Sequence, residues 1–223
     1  MLGKKKSGLP VPDTISYFEA PRPGDPNHLN ILALDTKSGL DKNFQRKLES
    51  TASKKLFDYI HTITEALKKD RRNATVYGGF LLPDVSFDHL KNRVEAIGKA
   101  RKQTGIDNKI IIFINKGMSA LLTISTNRSV LNKYDVDLEA LKESIFNPLS
   151  NEEIKTMTDG EKAIEGEDWS KFNDLYLTAK DNGVYIISPA VILKYIRKHT
   201  NGKDIFKQLE SHIIDIAKEK APR

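Results

Sequence analysis

A short apolar run that ends on a carboxylate is the feature that most limits how this chain folds. Residues 31–35 read Ile-Leu-Ala-Leu-Asp, and after a turn apolar residues recur every three or four positions from Leu48 to Leu67. The run is typical of a buried strand, and the later spacing is typical of a helix with one buried face. The sequence therefore predicts a strand at Ile31–Asp35 and a helix over Asp41–Lys69.

The same alternation of strand and helix signals continues along the chain. Further strands are predicted at Thr75–Leu82, Lys109–Asn115, Ala120–Ser125 and Val184–Ile187, with the middle two joined as a hairpin. Further helices are predicted at Ser86–Gln103, at Asp137–Ile145, from Ser150 to Gly160, from Asp168 to Asn182, from Ser188 to Gly202, and after Gly202.

Helices interleaved with apolar strands indicate an α/β fold. We expect a three-layer sandwich with a mixed, mostly parallel central sheet. Residues 30–223 are interpreted as a single α/β domain, in which residues 136–167 form an acidic helical insertion. Residues 1–29 hold five of the nine prolines, and proline at this density favours extended backbone. They are predicted to form an extended, Pro-rich N-terminal arm.

Composition limits the chemistry and the compartment. The 223-residue chain has no cysteine, which excludes disulfides and thiol catalysis and fits a reducing compartment. No stretch of 18 apolar residues is present, so no membrane span is expected. The lysines near the N-terminus are not followed by the apolar segment of a secretory signal. We expect a cytoplasmic protein, or one inside a virion or an infected cell.

Charge is distributed unevenly along a chain whose formal net charge is +6. Residues 71–135 contain 11 Lys and Arg against 5 Asp and Glu, whereas residues 136–175 contain 4 against 11. Such asymmetry indicates faces of opposite sign. A stiff N-terminal arm and oppositely charged faces both favour contact with a protein partner or with another copy of the chain.

Two aspartates are candidates for a catalytic or metal-binding role. Asp35 ends one predicted strand, and Asp84 follows the next one closely. If the right-handed crossover rule holds, the two strands are parallel and close together, so both carboxylates lie at one edge of the sheet. With the hydroxyl of Ser38 or Thr126 they would suit Mg²⁺, which prefers oxygen ligands and would favour phosphate substrates. The alternative is that these residues are caps and turn formers.

Basic residues form the second candidate site. Lys68, Lys69, Arg71 and Arg72 close the long helix, and Lys4, Lys5 and Lys6 lie in the arm. They would bind nucleic acid through its phosphates, independently of base sequence and more weakly as salt rises. Alternatively, the cluster at the helix end only complements the helix dipole.

No complete catalytic signature is present. The phosphate-binding patterns GxxxxGK[ST] and GxGxxG are absent, and no two histidines have the spacing of zinc ligands on a helix. The sequence therefore favours a non-catalytic binding or assembly protein without a cofactor. The alternatives are a sequence-independent nucleic-acid-binding protein and, less favoured, a Mg²⁺-dependent phosphoesterase or nuclease that uses Asp35 and Asp84.

Overall fold

A computed structural model of the chain describes residues 11–36, 46–83, 86–114, 117, 119, 145–146, 149–163, 169–199, 211 and 213–215. Within these ranges the strands are β1 (Thr14–Glu19), β2 (Leu29–Thr36), β3 (Ala74–Leu82), β4 (Ile110–Ile114) and β5 (Val184–Ile187). The helices are α1 (Arg46–Lys69), α2 (Phe87–Thr104), α3 (Asn151–Lys155), α4 (Asp159–Ala163), α5 (Trp169–Asp181) and α6 (Pro189–His199).

The five strands form one mixed sheet whose spatial order follows the chain order, β1-β2-β3-β4-β5. β1 is antiparallel to β2, and the pairs from β2 to β5 are all parallel. Right-handed crossovers between successive strands place their helices on a single face of such a sheet. In agreement, α1 packs against α2 and β3, and α5 packs against α2 and β5.

Both faces of the central strands β3 and β4 are largely buried, which confirms the α/β sandwich expected from the sequence. The helices α1, α2 and α5 cover one face. On the other face Tyr77, Ile111 and Phe113 are buried, and the ring of Phe146 lies 4.7 Å from that of Tyr77. None of the described helices is long and apolar enough to cross a membrane.

Most of the predicted elements are confirmed within the described residues. The predicted strands near residues 31, 75, 109 and 184 correspond to β2, β3, β4 and β5, and β2 and β3 are parallel neighbours as expected. The predicted strand Ala120–Ser125 lies outside the described residues, as does nearly all of the predicted helix Asp137–Ile145. Of the helix expected after Gly202, only residues 211 and 213–215 are described, and they are helical.

Three capping signals act as the sequence predicts, whereas Gly160 does not end the helix that starts after Ser150, because α3 ends at Lys155 and Gly160 lies within α4. Ser86 caps α2 by accepting the His89 N–H, and Gly105 ends that helix in the left-handed region at φ 68°. Ser150 and Glu153 form a reciprocal capping box at α3. These local signals fix where helices begin and end, and hence which residues face the sheet.

Close packing between α1 and the sheet depends on a glycine of β3. A Cβ atom added at Gly78 would lie 2.7 Å from Ile60 Cδ1 of α1 and 2.8 Å from Ile110 Cδ1 of β4. Both distances are well inside van der Waals contact. Gly78 therefore lets the helix approach the sheet closely, as the Gly-Gly pair in this strand suggests.

We predict that Gly78→Ala lowers the free energy of unfolding by about 2 kcal/mol, because overpacking a well-filled core costs of that order. The measurement is chemical denaturation followed by circular dichroism. Gly98→Ala in α2 is the matched control, since its nearest neighbour would be the side-chain oxygen of Asn182 at 3.2 Å and helical alanine is intrinsically favoured. Equal losses in the two variants would contradict this account of the packing.

Glu153 joins α3 to α6. Its Oε1 atom lies 2.6 Å from Lys198 Nζ, and its Oε2 atom accepts the Ser150 backbone N–H at 2.6 Å. Burial alone would raise the pKa of Glu153, but the hydrogen bonds from Lys198 and Ser150 outweigh burial and hold the pKa at about 2. The ionised carboxylate is therefore favoured in the folded chain.

A pKa of about 2 in the folded state, below the ordinary value of 4.5, makes the contribution of Glu153 dependent on pH. The stabilisation is fully present above about pH 4.5 and is lost as the pH falls towards 2. We predict that Glu153→Gln destabilises the chain at pH 7 and that the difference from wild type shrinks below pH 4.5. Denaturation at pH 7, 5.5, 4.5 and 3.5 measures this, and a difference that stays constant over the series would contradict it.

Candidate protein-binding edge

β1 forms within the predicted arm because a short β-favouring stretch lies between two pairs of prolines. Residues 14–19 read Thr-Ile-Ser-Tyr-Phe-Glu, in which β-branched and aromatic residues favour a strand. Pro10 and Pro12 precede this stretch, and Pro21 and Pro23 follow it. Proline does not donate to a β ladder, so the strand is limited to these six residues.

A tight turn brings the chain from β1 back into β2. Arg22 and Asp25 exchange backbone hydrogen bonds of 3.0 and 2.9 Å around Pro23-Gly24, and Gly24 has φ 81°. Proline followed by glycine with positive φ is the favoured sequence of a type II turn. The buried His28 then bridges the turn to β3, with Nδ1 3.1 Å from Asp25 Oδ2 and Nε2 2.9 Å from Thr75 Oγ1.

The two ends and one face of β1 are attached to the domain. Asp13 accepts the Thr36 N–H at 2.7 Å, and the Ala20 N–H donates to the His28 carbonyl at 2.8 Å. Phe18 packs its ring 4.6 Å from that of Phe146. Residues 13–20 are therefore a component of the sheet.

Apolar side chains are concentrated on the exposed part of this segment. Val11 is 71% exposed, Ile15 50% and Tyr17 73%. Among the described residues, these are the large hydrophobic side chains that remain exposed. A cluster of this kind marks an interaction surface more often than single scattered residues do.

The backbone of β1 also has a side that does not face β2. In an antiparallel ladder, alternate residues point their N–H and C=O groups towards the neighbouring strand. Ala20 bonds to His28, so the even-numbered residues of β1 face β2 and the groups of Ile15, Tyr17 and Glu19 point away from it. In the described part of the sheet, β1 has β2 as its only neighbour.

Ile15 and Tyr17 share the α1 face of the sheet with an acidic residue at each end. Ile15 pairs with Ala33 and Tyr17 with Ile31. Ala33 in turn pairs with Gly78, and a Cβ atom added at Gly78 would point towards α1. The period of two places Ile15, Tyr17 and Glu19 in one row, and Asp13 adjoins the row just before β1 begins.

A second observation marks the Asp13 end of this row as acidic. Burial raises the pKa of the Tyr59 phenol, and the carboxylates of Asp35, Asp13 and Asp58 raise it further. The edge therefore has an apolar centre, and the carboxylate beside its N-terminal end lies close enough to Tyr59 to act on its phenol.

Asp35 lies at the carboxyl end of β2, as predicted, but it is buried. Its exposed fraction is 3%, and it is paired in register with Phe80 on the α1 face. Asp84, Ser38 and Thr126 lie outside the described residues, so the magnesium hypothesis stays a prediction. In the described part of the chain, no group of three or more His, Asp or Glu residues is arranged to hold a metal ion.

A buried arginine was not predicted from the sequence. Arg93 of α2 is 2% exposed, and its guanidinium carbon lies 4.6 Å from the centre of the Phe80 ring. Asp35 and Arg93 thus both adjoin Phe80. The spacing of residues could have predicted the burial of Arg93, because it lies three residues after Leu90 and four before Ile97 on the apolar stripe of α2.

Of the predicted basic residues, Arg71 and Arg72 lie at the opposite end of the sheet from Asp35. Arg71 and Arg72 line a cavity of about 490 Å³ together with Glu19, Asp25 and Asn73. They precede β3, whereas Asp35 ends the parallel strand β2, and six residue steps along a strand cover about 20 Å. The basic residues and Asp35 therefore do not form one site.

The individual basic residues differ in their partners. Lys68 Nζ lies 2.9 Å from Glu65 Oε1, whereas Arg71 and Arg72 are exposed and form no ion pair with any described residue. Arg71 has φ 53° where the chain leaves α1, a conformation that glycine usually adopts at this position. Lys4, Lys5 and Lys6 lie outside the described residues.

Comparison of the chain with models of known protein families, with curated proteins and with solved structures finds no match.

Proposed function

We propose that this chain is a non-catalytic protein-binding protein that takes up an extended segment of a partner along the free edge of β1. The observation that carries the proposal is the position of the exposed apolar side chains. Val11, Ile15 and Tyr17 lie within one segment of seven positions, residues 11–17, and two of them belong to the edge strand.

Strand addition fits both the backbone and the side chains of this edge. A partner strand would bond to the outward N–H and C=O groups of Ile15, Tyr17 and Glu19, which supply affinity without regard to sequence. Its alternate side chains would contact Ile15 and Tyr17, which supply specificity. Backbone and side-chain recognition therefore coincide at the same residues.

The edge is also limited in the way that a selective binding site requires. Long, flat, apolar edges aggregate, and natural proteins prevent this with short strands, prolines and charges. β1 has six residues, prolines on both sides and an exposed acidic residue at each end. It can accept one short strand without offering a surface for unlimited pairing.

The two alternative functions have less support. Arg71 and Arg72 share their cavity with Glu19 and Asp25, whose carboxylates repel phosphate. Asp35 is buried rather than displayed in a cleft. Neither arrangement favours a nucleic-acid or phosphoester ligand as strongly as the exposed edge favours a peptide.

We predict that an uncharged, end-blocked peptide of alternating valine and threonine binds along β1. Titration followed by backbone amide resonances should shift those of Ile15, Tyr17 and Glu19 most. The double variant Ile15→Thr and Tyr17→Thr should weaken binding about tenfold, because it removes apolar contact while keeping a residue that favours strands. Its stability should change little, since both side chains are half exposed or more.

The matched control exchanges two hydroxyl residues of the same strand, Thr14→Ser with Ser16→Thr, whose backbone groups face β2. This variant should bind the peptide as the wild type does. If the peptide binds nowhere, or shifts resonances away from β1, the proposed function is wrong.

A further inference from the structure

We infer that the partner segment is basic at both ends of its contact with β1, in the pattern basic-x-apolar-x-apolar-x-basic, and that it belongs to a different protein. This inference rests on the proposed function and specifies the chemistry of the partner. Its basis is the row of Ile15, Tyr17 and Glu19 on the α1 face of the edge, together with Asp13 just before β1.

The spacing of that row dictates the spacing in the partner. Residues 15, 17 and 19 of β1 alternate along the chain and lie on one face, and Asp13 lies two positions before Ile15, just outside the strand, so that the four residues span about 20 Å. Side chains directly opposite each other on paired strands contact across the ladder, and opposite charges there are favourable. Asp13 and Glu19 therefore select Lys or Arg six residues apart, with two apolar residues between them.

The carboxylates are available to such a partner. Asp13 and Glu19 are both exposed, and in the described part of the chain neither forms an ion pair with a basic side chain. Glu19 lines the same cavity as Arg71 and Arg72, yet it is not paired with either. The backbone N–H of Thr36 bonds to Asp13 without neutralising it.

A second copy of the chain fits this edge poorly in the register that brings the Ile15 and Tyr17 side chains of the two copies together. The outward groups of β1 belong to odd-numbered residues, so antiparallel pairing of two copies must match odd with odd. The arrangement centred on Ser16, which pairs Ile15 with Tyr17, also places Asp13 opposite Glu19 at both ends. Like charges directly opposite each other are destabilising.

The N-terminal residues of the chain itself fit no better. Residues 2–9 read Leu-Gly-Lys-Lys-Lys-Ser-Gly-Leu, with the basic residues at the centre and the apolar ones at the ends. That order is the reverse of what the edge requires. A separate protein with basic residues flanking an apolar centre is the occupant that matches the charges.

The test compares three end-blocked peptides that share a valine-threonine centre and carry lysine, glutamate or no charge at the two flanking positions. At 50 mM salt the lysine peptide should bind about fivefold more tightly than the uncharged one, and the glutamate peptide should bind most weakly. The lysine advantage should largely disappear at 0.5 M salt, where exposed charges are screened.

Variants assign the effect to the two carboxylates. Asp13→Asn with Glu19→Gln should remove the preference for lysine, so that this variant binds the lysine, glutamate and uncharged peptides equally tightly. The matched control, Asp88→Asn with Glu95→Gln on α2, removes the same charge at a distance and should retain the preference.

Each remaining outcome decides between the inference and the proposed function. Equal binding of the three peptides overturns the charge inference and leaves strand addition standing, whereas no binding of any peptide overturns both. A doubled mass in solution that Tyr17→Thr abolishes would make a second copy the occupant. A peptide of residues 2–9 that binds as well as the lysine peptide would make the chain's own leader the occupant. Either result contradicts the inference.

Discussion

The antiparallel pairing of β1 with β2 is the interaction on which the rest of this account depends. Without it β2, which is apolar along most of its length, would itself be the edge of the sheet. Pairing with β1 covers that long edge and replaces it with one of six residues, limited by prolines and carboxylates. The tight turn at Pro23-Gly24 and the bridge through His28 to Thr75 hold the two strands in register. Protection of the sheet and display of the candidate binding edge are thus consequences of the same pairing.

The order of the strands explains why the edge is a better candidate than the carboxyl ends of the strands. Open α/β sheets form ligand crevices where the strand order reverses and successive helices lie on opposite faces. Among the described strands the order follows the chain without reversal, and α1, α2 and α5 lie side by side on one face. Asp35 is consequently covered, beside Phe80 and near Tyr59. Its burial follows from the topology.

The sequence predicted the repeating strand-helix core well, because periodicity and capping are local signals. Ser86, Gly105 and the Ser150–Glu153 box all act as their positions suggest. The pairing of β1 was not predicted, since prolines dominate the composition of residues 1–29 and conceal the six-residue stretch between them. Its position at the edge of the described sheet depends on the order of all five strands and has no local signal. The separation of Asp35 from Arg71 and Arg72 could have been predicted from the sequence, because the end of one parallel strand lies far from the start of the next.

Amide hydrogen exchange in the free chain tests the pairing of β1 with β2 most directly. The amides of Ser16 and Phe18 should be protected, because they point towards β2, and those of Ile15 and Tyr17 should exchange nearly as fast as in an unstructured chain. Uniformly fast exchange across residues 14–19 would show that β1 is not paired. Protection of the Ile15 and Tyr17 amides instead of their neighbours would show that these two N–H groups point towards β2. They would then not be available to a partner strand, which would contradict the proposed binding edge.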